Sequence, residues 1–425
     1  MRLSLATAAR AALVVVLAGC SSTSQGNSAT PSGGAANPLA LGAISQHQTM
    51  PLSERGPMTP MKLRRWEAEG KIAAEVPRKV AEQAYKYLLK HPNMQIKVRP
   101  AASVGLWLTN TDYDYLLGAN TKGTAVSLAV DTDSNGCYVP ITVHTDKHKN
   151  AWVACEEANP DYNGGEQEYS STGSLVATYS PSAGGGCPAS SYCYSYAYDG
   201  GVSPDGKYVA VEQSLGYTFY CTSYYCYFEY ISPGVFVWKT ASGPSSTPTF
   251  IPISSFGDPA YYLYYMAWDA NDNIWFDYYG YASSECCFGI GEVAGAGGAH
   301  PTINFIKPPG TLNFAGGVQV VGSNAYVTDQ GVYCENVGRT TAEYALPITP
   351  SENPTTTLGP TAVGLSGCGD PVSGGFNKAG TSQAQGDGVG WSDLTTIPGN
   401  ANSATWNIND PPALEGAAYA ASGQP

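Results

Sequence analysis

A short text recurs from residue 101 onward: a turn signal, a small or apolar residue, an aromatic, then a brief alternation of apolar and polar positions. The copies read Gly105-Leu106-Trp107-Leu108, Asn150-Ala151-Trp152-Val153, Gly206-Lys207-Tyr208-Val209, Asn273-Ile274-Trp275-Phe276, Asn324-Ala325-Tyr326-Val327 and Val389-Gly390-Trp391-Ser392. Turns such as Ser203-Pro204-Asp205-Gly206 and Asp269-Ala270-Asn271-Asp272-Asn273 precede them and carry the residue types that tight hairpins require. The aromatics are spaced by 45, 56, 67, 51 and 65 residues. A unit of about 45 residues holds four short strands, and longer units carry insertions. A shorter copy, Gly416-Ala417-Ala418-Tyr419, follows Trp391 after 28 residues and reads as a final strand that closes a ring. Strand quartets of this kind cannot bury their faces alone and must stack around an axis. The pattern therefore predicts an all-β fold, a β-propeller of six blades with seven as the alternative, over residues 101–425. A pair of sandwiches is the competing all-β arrangement.

Two stretches before the repeats have other periods. Residues 61–100 hold a stripe at helical spacing, with Leu63, Trp66, Val76, Val80, Ala84, Tyr87 and Leu88, interrupted by Pro77 and ended by His91-Pro92. Residues 1–19 have Arg2 and Arg10 ahead of a short apolar core from Ala11 to Leu17, the layout of an export signal. That core is too short for a permanent span. Its end, Leu17-Ala18-Gly19-Cys20, resembles the bacterial lipobox, which implies that Cys20 is lipidated and becomes the mature N-terminus. Residues 20–60 are rich in Ser, Gly, Pro and Thr and read as a flexible, disordered tether between membrane and domain. The expected localisation is the cell envelope, extracytoplasmic and lipid-anchored, on the periplasmic or outer-membrane face if the cell is Gram-negative.

Charge sharpens this division. The 425-residue chain has a formal net charge of −13 with 13% charged residues. Residues 51–100 carry +6, whereas residues 101–425 carry −21. The basic segment has three destinations: its own acidic body, which is the preferred one, an anionic membrane surface, or a partner. An acidic body argues against nucleic acid as a partner. Gly (49), Pro (30) and Tyr (30) are abundant while 43% of residues are hydrophobic, which suits many short strands and turns around a real core.

The six anchors, with Trp268-Asp269-Ala270-Asn271-Asp272-Asn273-Ile274-Trp275-Phe276 and Ile290-Gly291-Glu292-Val293, resemble blades of NHL-repeat and virginiamycin B lyase-like propellers, a group similar to gluconolactonase-type propellers. The resemblance covers about 320 residues and implies fold. The lyases of that group use a His and a Glu-x-His pair with magnesium, and no Glu-x-His occurs in residues 101–425, whose His are His144, His148 and His300.

Candidate chemistry is sparse. GxSxG, HExxH and P-loop strings are missing from the sequence. Asp131-Thr132-Asp133-Ser134-Asn135-Gly136 opens like a calcium loop, with Asp131, Asp133 and Asn135 as oxygen donors, but the twelfth position is Thr142 where a bidentate Glu would stand. An ordinary turn is the alternative reading. Eleven Cys leave ten once Cys20 is lipidated, an even number that suits disulfides in an oxidising compartment. Cys187/Cys193 and Cys221/Cys226 are spaced to close loops, and Cys286-Cys287 are adjacent; connectivity is left open. Tyr192, Tyr194, Tyr196 and Tyr198 alternate, with Tyr224 and Tyr225 further on. On a strand such rings share a face, either as a binding surface or as packing between blades. The sequence thus points to a lipid-anchored propeller that binds or scaffolds an envelope protein, peptide or glycan, more a binding module than an enzyme. A metal-assisted lyase or lactonase is the alternative.

Overall fold

The computed structural model describes residues 50–51, 104–111, 114–121, 126–159, 163–187, 193–221, 225–231, 233–253, 260–282, 285–312, 315–329, 342–348, 360–361, 372–377, 382–386, 392–396, 400–406 and 414–420. The export signal, Cys20 and the helical segment 61–100 lie outside them. Contacts divide the chain into two units. In the first, β1 (Met50–Pro51) pairs antiparallel with β13 (Tyr225–Ile231), and a Cys187–Cys193 disulfide closes a short loop. β9 (Cys193–Tyr196) and β12 (Leu215–Cys221) complete the chain order.

The second unit is built of quartets. β5 (Cys137–Thr145), β6 (Ala151–Ala158), β7 (Asn163–Tyr169) and β8 (Leu175–Tyr179) form one, and β10 (Gly200–Val202), β11 (Tyr208–Gln213), β14 (Gly234–Lys239) and β15 (Thr249–Pro252) the next. β16 (Ala260–Trp268), β17 (Ile274–Ala282), β18 (Glu285–Ala294) and β19 (Thr302–Leu312) follow. After them come β20 (Ala315–Val321), β21 (Asn324–Asp329), β22 (Ala342–Pro347) and β23 (Pro360–Thr361).

An eight-stranded sheet supplies two more quartets. One is β24 (Val372–Phe376), β25 (Ser382–Gly386), β26 (Ser392–Thr396) and β27 (Asn400–Trp406). The other is β28 (Leu414–Tyr419), β2 (Leu106–Asn110), β3 (Tyr115–Ala119) and β4 (Val126–Asp131). β28 pairs antiparallel with β2, Leu106 opposite Tyr419, so the last strand of the chain closes the first quartet. A single parallel contact, Gly375 with Ala418, joins the two halves.

Within each of these quartets, neighbouring strands pair antiparallel. The first strands touch in sequence, β28 to β5, β10, β16, β20 and β24, and β24 returns to β28. Up-and-down quartets whose inner strands form a closed cycle are the arrangement of a β-propeller.

The core sits between quartets. Trp107, Leu116 and Val130 pack with Val143, Val153 and Tyr169 of the next quartet. Trp152 and Tyr179 pack with Val209, Phe236 and Trp238. Val237 and Ile251 pack with Met266, Trp268 and Phe276. The anchors explain this layering: Trp107, Trp152, Tyr208, Trp275 and Tyr326 each open the second strand of a quartet. The sixth differs. Ser392 of that copy begins β26, the third strand, and Trp391 lies outside the described residues.

Candidate functional site

The anchors carry a turn chemistry that the aromatic alone did not reveal. Asp146 Oδ1 accepts the backbone N–H groups of His148 (2.8 Å) and Asn150 (2.9 Å), while its Oδ2 accepts Asn150 Nδ2 (3.1 Å) and Trp152 Nε1 (3.3 Å). Asp269 repeats this set with Asn271 N (2.8 Å), Asn273 N (3.0 Å), Asn273 Nδ2 (2.9 Å) and Trp275 Nε1 (3.3 Å). The repeat is therefore Asp-x-x-x-Asn-x-Trp, in which one carboxylate closes the hairpin and fixes the indole that fills the gap between sheets. In the copy at Tyr208 a hydroxyl does the capping, since Ser203 Oγ accepts from Lys207 N (3.2 Å) and Tyr208 N (3.0 Å).

Two places gather functional groups. The first is a groove of about 310 Å³ where the 146–150 turn faces the Ser203–Gly206 turn of the following quartet. Lys147, His148, Glu168 and Asp205 line it together with Trp152, Tyr179 and Pro204. Asn150 Nδ2 donates to Glu168 Oε1 at 2.8 Å. Burial first, then the neighbouring Asp146, raises the Glu168 carboxyl, while Asn150 and His148 pull it back. Lys207 pairs with Asp205 at 2.5 Å on the exposed rim.

The second is a buried acid cluster at the inner strands. Asp199, just before β10, meets His144 Nε2 of β5 at 2.6 Å. It also accepts Thr142 Oγ1 (2.6 Å), Gly200 N (2.8 Å) and, through Oδ2, Met266 N of β16 (2.8 Å). Glu166 of β7, Glu212 of β11 and Asp277 of β17 surround it, all fully buried. Burial pushes all three carboxyls well above their usual range, and the charge of Asp199 adds to each. Neither oxygen of Glu166 has a hydrogen-bond partner among the described residues.

The site residues expected from the sequence are dispersed. Asp131, Asp133 and Asn135 belong to a single turn between β4 and β5, with Gly136 at φ 78°. Asp131 Oδ1 accepts Ser134 N (3.0 Å), and Asn135 Nδ2 donates to the Asp131 carbonyl (3.0 Å), so these groups close their own turn. Among the described residues, no three His, Cys, Asp or Glu are gathered so as to hold a metal ion. Of the two readings of the alternating tyrosines, Tyr196 and Tyr198 take the packing one: both are buried, and Tyr198 stacks on Tyr264 at 5.8 Å. β9 ends at Tyr196, so the alternation does not continue as one strand. Tyr194 and Tyr225 are placed by backbone alone, and Tyr192 and Tyr224 lie outside the described residues.

Cys187–Cys193 forms as its spacing suggested, and Cys137–Cys155 ties β5 to β6, a pair that spacing did not single out. Cys221, Cys226, Cys286 and Cys287 lie on β12, β13 and β18, their side chains outside the described set. The acid cluster escaped sequence reading altogether. Its one signal was a lone acid inside an apolar or aromatic strand, as in Val209-Ala210-Val211-Glu212 and Phe276-Asp277-Tyr278.

No protein-family model matches the chain, and no curated protein matches it. Solved structures do. The calcium-binding protein regucalcin from Agrobacterium tumefaciens is similar at 12% identity and TM-score 0.38, over 64% of this chain and 75% of that one. A luciferin-regenerating enzyme matches at 12% identity and TM-score 0.41, over 66% and 80% of the two chains. A candidate gluconolactonase matches at 12% and 0.39, over 65% and 80%. At these values the likeness lies in the arrangement of strands and says nothing of activity.

Proposed function

We propose that this chain is a six-bladed, lipid-anchored propeller of the cell envelope that binds a peptide or glycan ligand in the groove between the 146–150 and Ser203–Gly206 turns. The observation that carries the reading is the lining of that groove. Ammonium, imidazole and carboxylate groups line it together with indole, phenol and proline edges. A ligand that presents both hydrogen-bonding groups and apolar C–H faces fits such a wall. Two disulfides agree with an oxidising, extracytoplasmic compartment, where Cys20 would supply the anchor. Peptide and glycan arrays probed with the full chain test the reading. Binding that falls at least tenfold in K147A and E168A supports it. A bound ligand that is indifferent to both substitutions removes the groove from consideration.

A second reading, hydrolysis of a lactone, is favoured by a different observation. The imidazole of His144 sits 2.6 Å from Asp199, near Glu166, whose carboxyl burial pushes well above its usual range, which is the arrangement a base–acid pair would use. Calcium or another divalent ion would serve this chemistry, but the described acids do not converge as a ligand set, and no step is assigned to a metal. A panel of lactones assayed with His144→Ala as control decides it. Equal rates for wild type and variant defeat the enzymatic reading.

A further inference from the structure

Four buried carboxyls gather across three consecutive quartets, and one of them, Asp199, meets the imidazole of His144. Asp199 ties them together, accepting from Thr142 on β5, from Gly200 at the start of β10 and from Met266 on β16, while also meeting His144. Glu166 on β7 points at Gly200 so closely that a Cβ there would collide with its Oε2, hence the glycine. Glu212 on β11 feels both Asp199 and Asp277, and Asp277 on β17 feels Asp199 and accepts Tyr265 N at 3.0 Å. The charge acting on all three is Asp199, joined at Glu212 by Asp277; hydrogen bonds from Ser214 to Glu212 and from the backbone of Tyr264, Tyr265 and Gly317 to Asp277 oppose it in part, and His144 is the base that touches Asp199. Ionising all four carboxyls in this buried space would leave more negative charge than the one imidazole could balance, and an uncompensated buried ion is strongly disfavoured.

We propose that this cluster is a proton-held latch: Glu166, Glu212 and Asp277 carry protons in the folded ring, and rising pH removes them and loosens the sector where the three quartets meet. The groove lies between the first two of these quartets. The direction follows from proton linkage. In the unfolded chain these carboxyls titrate in their ordinary range, at 4.5 for Glu and 3.8 for Asp, whereas the folded state keeps their protons to higher pH. The folded state therefore binds more protons, and its stability is fully present below that range and declines as pH rises toward each folded value. An envelope protein with such a latch is fitted to acidic surroundings.

The test is urea denaturation of the full chain from pH 4 to pH 9, with Glu166→Gln and Asp277→Asn, which keep shape but cannot ionise. The wild-type midpoint should fall steadily above about pH 5. Each variant should match the wild type near pH 4 and exceed it at pH 8. Calorimetry in buffers of differing ionisation enthalpy gives a second readout that needs no variant: wild-type unfolding at pH 6.5 should release protons. Where a variant folds, it should release about one fewer. A wild-type midpoint that is flat from pH 5 to 9, or unfolding without proton release, overturns the proposal. So does a slope confined to the imidazole range and abolished by His144→Gln alone. A calcium-induced rise in the pH 8 midpoint that Glu166→Gln abolishes also overturns it, by assigning the cluster to a cation.

Discussion

At the scale of single residues, the anchor aromatics act as wedges between sheets. Trp107 is fully buried among Leu116, Val130 and Val143, and its Nε1 has no hydrogen-bond partner among the described residues. Removing the side chain leaves a cavity, while replacing it with a smaller ring also removes an unsatisfied N–H. Trp107→Ala is therefore expected to cost about 3–5 kcal/mol and Trp107→Phe clearly less, read from urea midpoints at constant m-value. Trp152 is the contrasting case, because its Nε1 reaches the Asp146 carboxylate. The ring positions were legible because turn and aromatic adjoin in sequence. The carboxylate that orients Trp152 and Trp275 lies six residues upstream, at Asp146 and Asp269, and in the sequence Asp269 stands only as an ordinary turn residue while Asp146 carries no mark. A turn-closing role and a metal role use the same residue types, and hydrogen bonds to backbone N–H groups separate them.

At the scale of elements, the repeated text falls on the second strand of the quartet in five copies and beside the third strand in the sixth. Every strand junction in such a quartet is a hairpin, so a turn followed by an aromatic marks a strand start without saying which one. The Cys137–Cys155 bridge is invisible for a related reason. It joins β5 to β6 across the 146–150 hairpin, and its partners come together only once the register Cys137 to Ala158 and Pro140 to Cys155 is set. Both sulfurs lie in the fully buried layer against Trp107 and Val153. Breaking the bridge with Cys137→Ser and Cys155→Ser frees a loop with a sequence separation of 18 and places two hydroxyls in that layer. A loss of about 3 kcal/mol or more is expected. Reduction of the wild type under denaturing conditions followed by refolding in reductant should give a comparable deficit, and an unchanged midpoint would show that the bridge adds nothing.

For the whole molecule, the sequence foretold a ring because its last apolar text looked like a strand with no quartet of its own. The structure gives it that role: β28 is the inner strand of the quartet that begins with β2, Ala417 packs with Leu106 and Leu108, and Ala418 packs beside Trp107. Closure by the two chain ends means that the ring gains its final interface only when residue 414 onward is in place, a contact of very high sequence separation. Deleting residues 414–425 leaves β2 without an inner partner and exposes an apolar strand edge, the feature that favours aggregation. The truncated chain is expected to lose cooperative unfolding and to self-associate. Deleting residues 1–60, read from the sequence as signal and tether, should leave the midpoint of the quartets unchanged. Light scattering and thermal melts of both truncations provide the comparison. A chain ending at residue 413 that stays monomeric and melts like the full-length protein would mean that the quartets hold together without a closed ring, and the packing at Leu106 and Trp107 would then have to be carried by β3 alone.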